Sequence, residues 1–127
     1  MNAVARRMRE NVIETLRLIA DGDAQRRYQL QAPFVNVPNE MFNQWDDFFH
    51  PQFKDFRAAF STIEFQALLR FQTVMDDLSR QCEKNLPPLA EFQKTGVWAA
   101  LCKAASDVLN VFEKTSSAES VGEFGLG

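Results

Sequence analysis

The sequence predicts a single all-α domain, and three observations predict it. Apolar residues recur three and four positions apart through most of the chain, which is the period of an amphipathic helix. No segment shows the sustained apolar–polar alternation of a half-buried strand. The 127 residues are 46% hydrophobic and 24% charged, a composition that supports one packed core and excludes a disordered chain. Twelve Phe residues further predict that aromatic rings build much of this core.

Two helical segments are predicted at the N-terminus. The first covers residues 3–20, where the apolar positions are Val4, Met8, Val12, Leu16 and Ile19. Gly22 ends or bends this helix, and Asp23 is expected to cap a short continuation through Tyr28.

A linker and a further helix follow. Pro33 and Pro38 bracket residues 34–37, which are expected to be extended because a residue before proline avoids the helical region. Pro38 suits the first turn of the next helix, where Glu40 complements the positive helix end. Proline stops that helix at His50–Pro51. Its apolar residues are Met41, Phe42, Trp45, Phe48 and Phe49.

The clearest local signal is a capping box at Ser61–Thr62–Ile63–Glu64. The Ser61 hydroxyl and the Glu64 carboxylate are each expected to accept a hydrogen bond from the other's backbone N–H. Phe53, Phe56 and Phe60 predict a short helix directly before the box. The long helix after it presents one narrow apolar seam, formed by Leu68, Phe71, Met75, Leu78 and Cys82.

The last helix is expected to begin near Leu89. Gly96 leaves open whether this helix is broken, in which case Thr95 would cap its second part. We expect a helical domain over residues 1–114 and a flexible tail over residues 115–127, which is rich in Ser and Gly. The predicted architecture is therefore a compact bundle of about five helices with one extended, proline-bracketed linker.

Charge and cysteine content limit the class of function. The chain has 14 basic and 17 acidic residues, a net charge of −3, which argues against binding nucleic acid through a basic face. Cys82 and Cys102 lack the spacing of a metal motif and are expected to be buried, unpaired thiols. The N-terminal segment carries charges every few residues, and no window approaches the roughly 18 apolar residues of a membrane span. A cytoplasmic protein is expected.

No residue set predicts catalysis, a metal or a cofactor. Asp47 and His50 resemble half of a metal site, but the chain has a single His, which is better placed to stabilise its helix end. The adjacent carboxylates Asp46–Asp47 and Asp76–Asp77 point about 100° apart on a helix, so neither pair suits a shared proton. We therefore expect a protein without enzymatic activity, with an enzyme built around Asp47 and His50 as the weakest alternative.

An acidic, aromatic stretch is the predicted partner-binding face. Between Glu40 and Asp55, four acidic residues stand against the single Lys54. The same charges also fit ordinary solvated helix faces. As a binding face, the stretch would attract a basic partner and use an aromatic anchor. The predicted contact residues are Glu40, Trp45, Asp46, Asp47 and Asp55.

A pattern between Tyr28 and Leu78 carries a resemblance to a known family. It consists of Tyr28, Pro33-Phe34-Val35-Asn36-Val37-Pro38-Asn39-Glu40, Trp45-Asp46-Asp47, His50-Pro51, Phe56, Phe60-Ser61 and Glu64. Its most specific part runs from Val37 to Trp45. The pattern resembles small helical immunity proteins that accompany bacterial polymorphic and contact-dependent growth-inhibition toxins.

The resemblance implies a protein that neutralises a cognate toxin by binding it. Nuclease toxins are commonly basic because they bind phosphates, so an acidic inhibitor is favoured by charge. The alternative is a small helical adaptor or regulatory subunit of a different partner. The toxin's identity and the oligomeric state are left open.

Overall fold

The computed structural model describes the backbone of residues 1–82 and 85–126, and the side chains of residues 1–82 and 85–115. Within these ranges the regular structure is entirely helical, so the all-α prediction is confirmed. The described chain has seven helices where about five were expected: α1 (Ala3–Ala20), α2 (Gly22–Gln31), α3 (Val37–Phe48), α4 (Lys54–Ala58), α5 (Thr62–Gln81), α6 (Leu89–Phe92) and α7 (Gly96–Leu126).

Two chain breaks explain the larger number of helices. Asp21 is extended, with φ −125° and ψ 101°, and its side chain accepts hydrogen bonds from the backbone of Asp23 and Ala24. The cap of α2 is therefore Asp21 and not Asp23. Thr95 Oγ1 accepts a hydrogen bond from the Trp98 backbone at 3.2 Å, which separates α7 from α6 as the expected cap would. The side chains of residues 116–127 lie outside the described residues, so the flexible tail stays a prediction.

The proline-bracketed segment forms a turn, and the prediction of an extended linker is wrong for most of it. The Val35 N–H donates to the Ala32 carbonyl at 3.1 Å, which closes a turn over residues 32–35. Asn36 is the extended residue, and its side chain accepts from the Asn39 backbone and so caps α3. This cap starts the helix at Val37, before the proline.

A continuous row of aromatic rings forms the core, as the Phe content predicted. Trp45 on α3 stacks on Phe49 at 4.8 Å between centroids and meets Phe71 on α5 edge-on at 4.7 Å. The row continues through Phe49, Phe56, Phe60 and Phe112, with successive centroids 5.0–5.8 Å apart. It therefore joins α3, α4, α5 and α7 in one packed unit.

The capping box at the start of α5 is confirmed and is part of a larger contact. Ser61 and Glu64 exchange the two expected hydrogen bonds. The Arg9 guanidinium on α1 also binds the Glu64 carboxylate, with N–O distances of 2.8 and 2.9 Å, and Thr115 Oγ1 on α7 donates to it at 2.9 Å. Glu64 thereby connects three helices, although its side chain is only 5% exposed.

Helix α7 packs between α1 and α5, while α3 and α4 lie against α1. Along the described chain, no helix combines the length and apolar composition needed to cross a bilayer.

Candidate partner-binding groove

Trp45 does not lie on the surface, so its predicted role as an exposed anchor is wrong. Its side chain is fully buried, and its ring occupies the centre of the aromatic row. The indole Nε1–H donates to Gln72 Oε1 at 2.7 Å, which satisfies its only polar group. Burial of this large apolar ring stabilises the core and leaves no part of the ring exposed to a partner.

The four predicted acidic contact residues do not form one surface. Asp46 and Asp47 are exposed on α3, whereas Glu40 is half-buried in the first turn of that helix. Asp55 lies on α4, where it accepts a hydrogen bond from the Asn2 side chain at 3.0 Å. Of this set, Asp46 lines a groove, and that groove is the candidate site.

The groove lies between α3 and α5, and Leu86, which follows α5, also lines it. Its volume is about 570 Å³. Phe42, Met75 and Leu86 are the large apolar members of a mixed lining, and Asp46 and Asp76 face the groove from opposite helices. We call this feature the acidic groove.

Like charges meet in the acidic groove. Partial burial raises the pKa of Asp46, and the nearby charges of Asp76 and Asp47 raise it further. Among the described residues, no ion pair includes any of these three carboxylates. A cation brought into the groove would therefore relieve a repulsion that the folded chain leaves in place.

A chain of hydrogen bonds links this groove to the core. Trp45 donates to Gln72, and Gln72 Nε2 donates to Asp76 Oδ1 at 2.7 Å. The Asp76 carboxylate is thus held in one orientation by a side chain that is itself fixed by a buried ring. The carboxylate does not need to be ordered when a partner binds, which lowers the entropic cost of binding.

A second groove, between α1 and α7, is larger but chemically mixed. Its volume is about 720 Å³, and its lining includes Arg9, Arg17, Asp21 and Glu113. Arg9 is already engaged by Glu64. Because both signs of charge line it, this groove selects no partner by charge, and the acidic groove is the better candidate.

The histidine and the two cysteines, which were considered above as metal ligands, do not form a metal site among the described residues. His50 Nε2 donates to the Asp47 carbonyl at the end of α3, the helix-end position expected for it. Cys82 and Cys102 are unpaired, but both are half-buried where full burial was expected, and Cys82 lies just past the end of α5. Burial raises the pKa of both thiols, and the charge of Asp21 raises that of Cys102 further. Within the part of the chain that the structure describes, no three His, Cys, Asp or Glu side chains cluster as a metal site would require.

Sequence reasoning missed Asp76 as a partner of Asp46. Each belongs to an adjacent pair that was considered separately, and one member of each pair faces the groove. The two residues are thirty positions apart, on helices that meet through the contacts of Trp45 with Phe71 and Gln72, and no local motif signals the pairing. No protein-family model matches the chain, and neither curated proteins nor solved structures give a significant match.

Proposed function

We propose that this chain is a non-catalytic protein-binding domain that neutralises a basic bacterial toxin, which it holds through the acidic groove. The observation that carries the proposal is the Asp46–Asp76 juxtaposition without a cation from the described chain. A Lys or Arg side chain of a partner would gain two carboxylates at once. It would also remove their mutual repulsion, so binding is favoured on both sides.

The apolar part of the groove lining suits a protein partner better than a free ion. The half-buried Phe42 and Leu86 can contact the methylene stem of a Lys or Arg while its charged head reaches the two carboxylates. This apolar contact adds burial to the charge contact, and desolvation strengthens the charge contact. A bare cation would use the carboxylates and leave these apolar side chains uncovered.

The partner class comes from the resemblance to immunity proteins, together with charge. The chain has a net charge of −3, which favours rapid association with a basic protein. Toxins that act on nucleic acids are of that kind. Inhibition would require only that the bound domain cover the toxin's working surface, so no catalytic group is needed in this chain.

The test is a kinetic binding measurement against the product of the gene directly upstream, where the toxin of an immunity protein is expected. Asp46→Asn with Asp76→Asn should slow association about tenfold at low salt and flatten its salt dependence, since steering acts over roughly 8 Å at physiological ionic strength. The matched control is Asp23→Asn with Asp107→Asn. It changes net charge equally at two exposed, ion-paired positions outside the groove.

Three outcomes are informative. A groove variant that associates more slowly than the control supports the acidic groove as the contact. A groove variant that associates as fast as the original at both salt concentrations excludes it. If the unmodified protein does not bind the upstream product, the toxin proposal fails, and an adaptor for another protein becomes the better hypothesis.

A further inference from the structure

The two most exposed apolar side chains of the described residues are four positions apart in the sequence, at the end of α2 and in the turn after it. Leu30 is 82% exposed, and Phe34, in the turn that follows, is 102% exposed. We call this feature the apolar turn. The phenyl ring of Phe34 gains no hydrophobic stabilisation from the fold, because it buries no surface against the rest of the chain.

The apolar turn is held rigidly by hydrogen bonds. Gln29 Nε2 donates to the carbonyls of Ala32 at 3.1 Å and Val35 at 2.7 Å, in addition to the bond that closes the turn. Asn36 Nδ2 donates to the Leu86 carbonyl at 2.9 Å and ties the end of the turn to the rest of the bundle. The backbone that displays Phe34 is therefore ordered before any partner arrives.

Hydrogen bonds connect the end of the apolar turn to the lining of the acidic groove. Asn39 and Leu86 line that groove, and Asn36 and Asn39 both hydrogen-bond to the Leu86 backbone. Phe34 and Asn39 are five residues apart, so their Cα atoms lie within about 18 Å of each other. A standard interface covers about 800 Å² on each partner, a patch roughly 30 Å across. One partner can therefore cover both features.

We propose that the apolar turn is the aromatic anchor of the same interface, an inference that rests on the proposed function. The partner it fits is a basic protein that presents an apolar pocket beside the Lys or Arg side chains entering the acidic groove. Aromatic side chains that fill a pocket of the partner, beside charged contacts, are frequent hot spots of tight complexes. Phe34 thus takes the role that the sequence suggested for Trp45.

Charge favours a basic protein as the partner over two other candidates, a second copy of this chain and an anionic lipid surface. In a symmetric dimer formed through this face, the unpaired Asp46 and Asp76 of both copies would share one interface, where like charges are costly. An anionic lipid surface would meet the same carboxylates and be repelled.

The test separates the anchor from the groove by the rate constant that each one affects. Against the upstream gene product, Phe34→Ser and Leu30→Ser should raise the dissociation rate, with roughly a 30-fold loss of affinity for Phe34→Ser. The salt dependence of association should not change, since neither side chain is charged. The control is Ile63→Ser, a 59% exposed position on the first turn of α5. It lies about 18 Å along the helix from Met75.

Each outcome decides between the occupants. If Phe34→Ser dissociates as slowly as the original while the groove variant associates slowly, this inference is overturned and the proposed function stands. If the unmodified protein does not bind the upstream product, both fall. The apolar turn is instead a self-association site if sedimentation at about 100 μM shows a dimer that Phe34→Ser abolishes. Binding to phosphatidylglycerol vesicles that requires Phe34 would make it a lipid contact.

Discussion

Glu64 and Asp46 are acidic residues in opposite situations. Glu64 is buried, which raises its pKa, but hydrogen bonds from Arg9, Ser61 and Thr115 lower the pKa by more, and it stays below the usual value. Asp46 is exposed on α3, yet partial burial and two neighbouring carboxylates raise its pKa. The buried Glu64 is paired with Arg9, whereas the exposed Asp46 belongs to no ion pair among the described residues.

The comparison separates an acid that serves the fold from one that is available to a partner. A carboxylate whose charge is neutralised within the chain gains little from a second cation. A carboxylate held near other carboxylates is stabilised when a cation binds to it. If burial were the criterion for a functional acid, Glu64 would be chosen over Asp46, although the contacts of Glu64 stabilise the fold.

The largest expected effect comes from breaking the Glu64 contact. Arg9→Met removes both bonds to the Glu64 carboxylate, and it also removes the guanidinium that lies 5.6 and 5.1 Å from the ring centres of Phe60 and Phe112. A buried carboxylate without its cation should lower the free energy of unfolding by about 3 kcal/mol at pH 7, measured by urea denaturation.

Two further variants test the cause of that loss. Arg7→Met, on the exposed side of the same helix, should change stability by less than about 0.5 kcal/mol. Arg9→Met combined with Glu64→Met should recover part of the loss, because an apolar pair replaces a buried ion pair while the Ser61 N–H and the Thr115 hydroxyl lose their acceptor. If Arg9→Met alone costs no more than Arg7→Met, the contact does not stabilise the fold.

A smaller effect is expected from the other side of the Glu64 contact. Ser61→Ala removes the acceptor for the Glu64 backbone N–H while leaving the Arg9 pair intact. The loss should be about 1 kcal/mol in thermal or urea unfolding. Thr62→Ala removes a hydroxyl one position later, at an exposed site, and should cost nothing. Equal stability of the two variants would show that the cap contributes nothing measurable to α5.

The same comparison shows which features the sequence could predict. The capping box and four of the five seam residues of α5 are encoded within a few residues and were predicted correctly. The breaks near Gly22 and Gly96 were recognised as possible from their glycines and caps, but the sequence left open whether each one ends a helix or only bends it. The position of a cap is also fixed only to within a residue or two from sequence, as the shift from Asp23 to Asp21 shows.

Long-range contacts account for what the sequence could not predict. Arg9 and Glu64 are 55 residues apart, and nothing near either residue in the sequence identifies the other. Trp45 was interpreted as a surface anchor because it directly precedes Asp46 and Asp47 in an acidic stretch, but its position on α3 places the ring in the core and leaves Asp46 exposed. The candidate groove likewise depends on residues of α3 and α5 lining one cavity, which no residue pattern specified.

The smallest expected effect tests Asp46 itself, and its sign is opposite to that of Glu64. A carboxyl whose pKa is raised by folding is destabilised in its charged form, so its contribution to stability is most favourable at low pH and is lost as pH rises above its ordinary value of 3.8. Asp46→Asn should therefore be slightly more stable than the original at pH 7, by about 0.3 kcal/mol, since a solvated charge contributes little. The advantage should shrink as pH falls towards 3.8 and Asp46 becomes protonated.

Glu64→Gln should be less stable than the original at pH 7, and that deficit should shrink as pH falls below 4.5. Urea unfolding of all three proteins between pH 7 and pH 3.5 measures both trends. An Asp46→Asn variant that is less stable than the original at pH 7 would mean that the carboxylate is neutralised within the chain, and the acidic groove would then lose the repulsion that favours a basic partner.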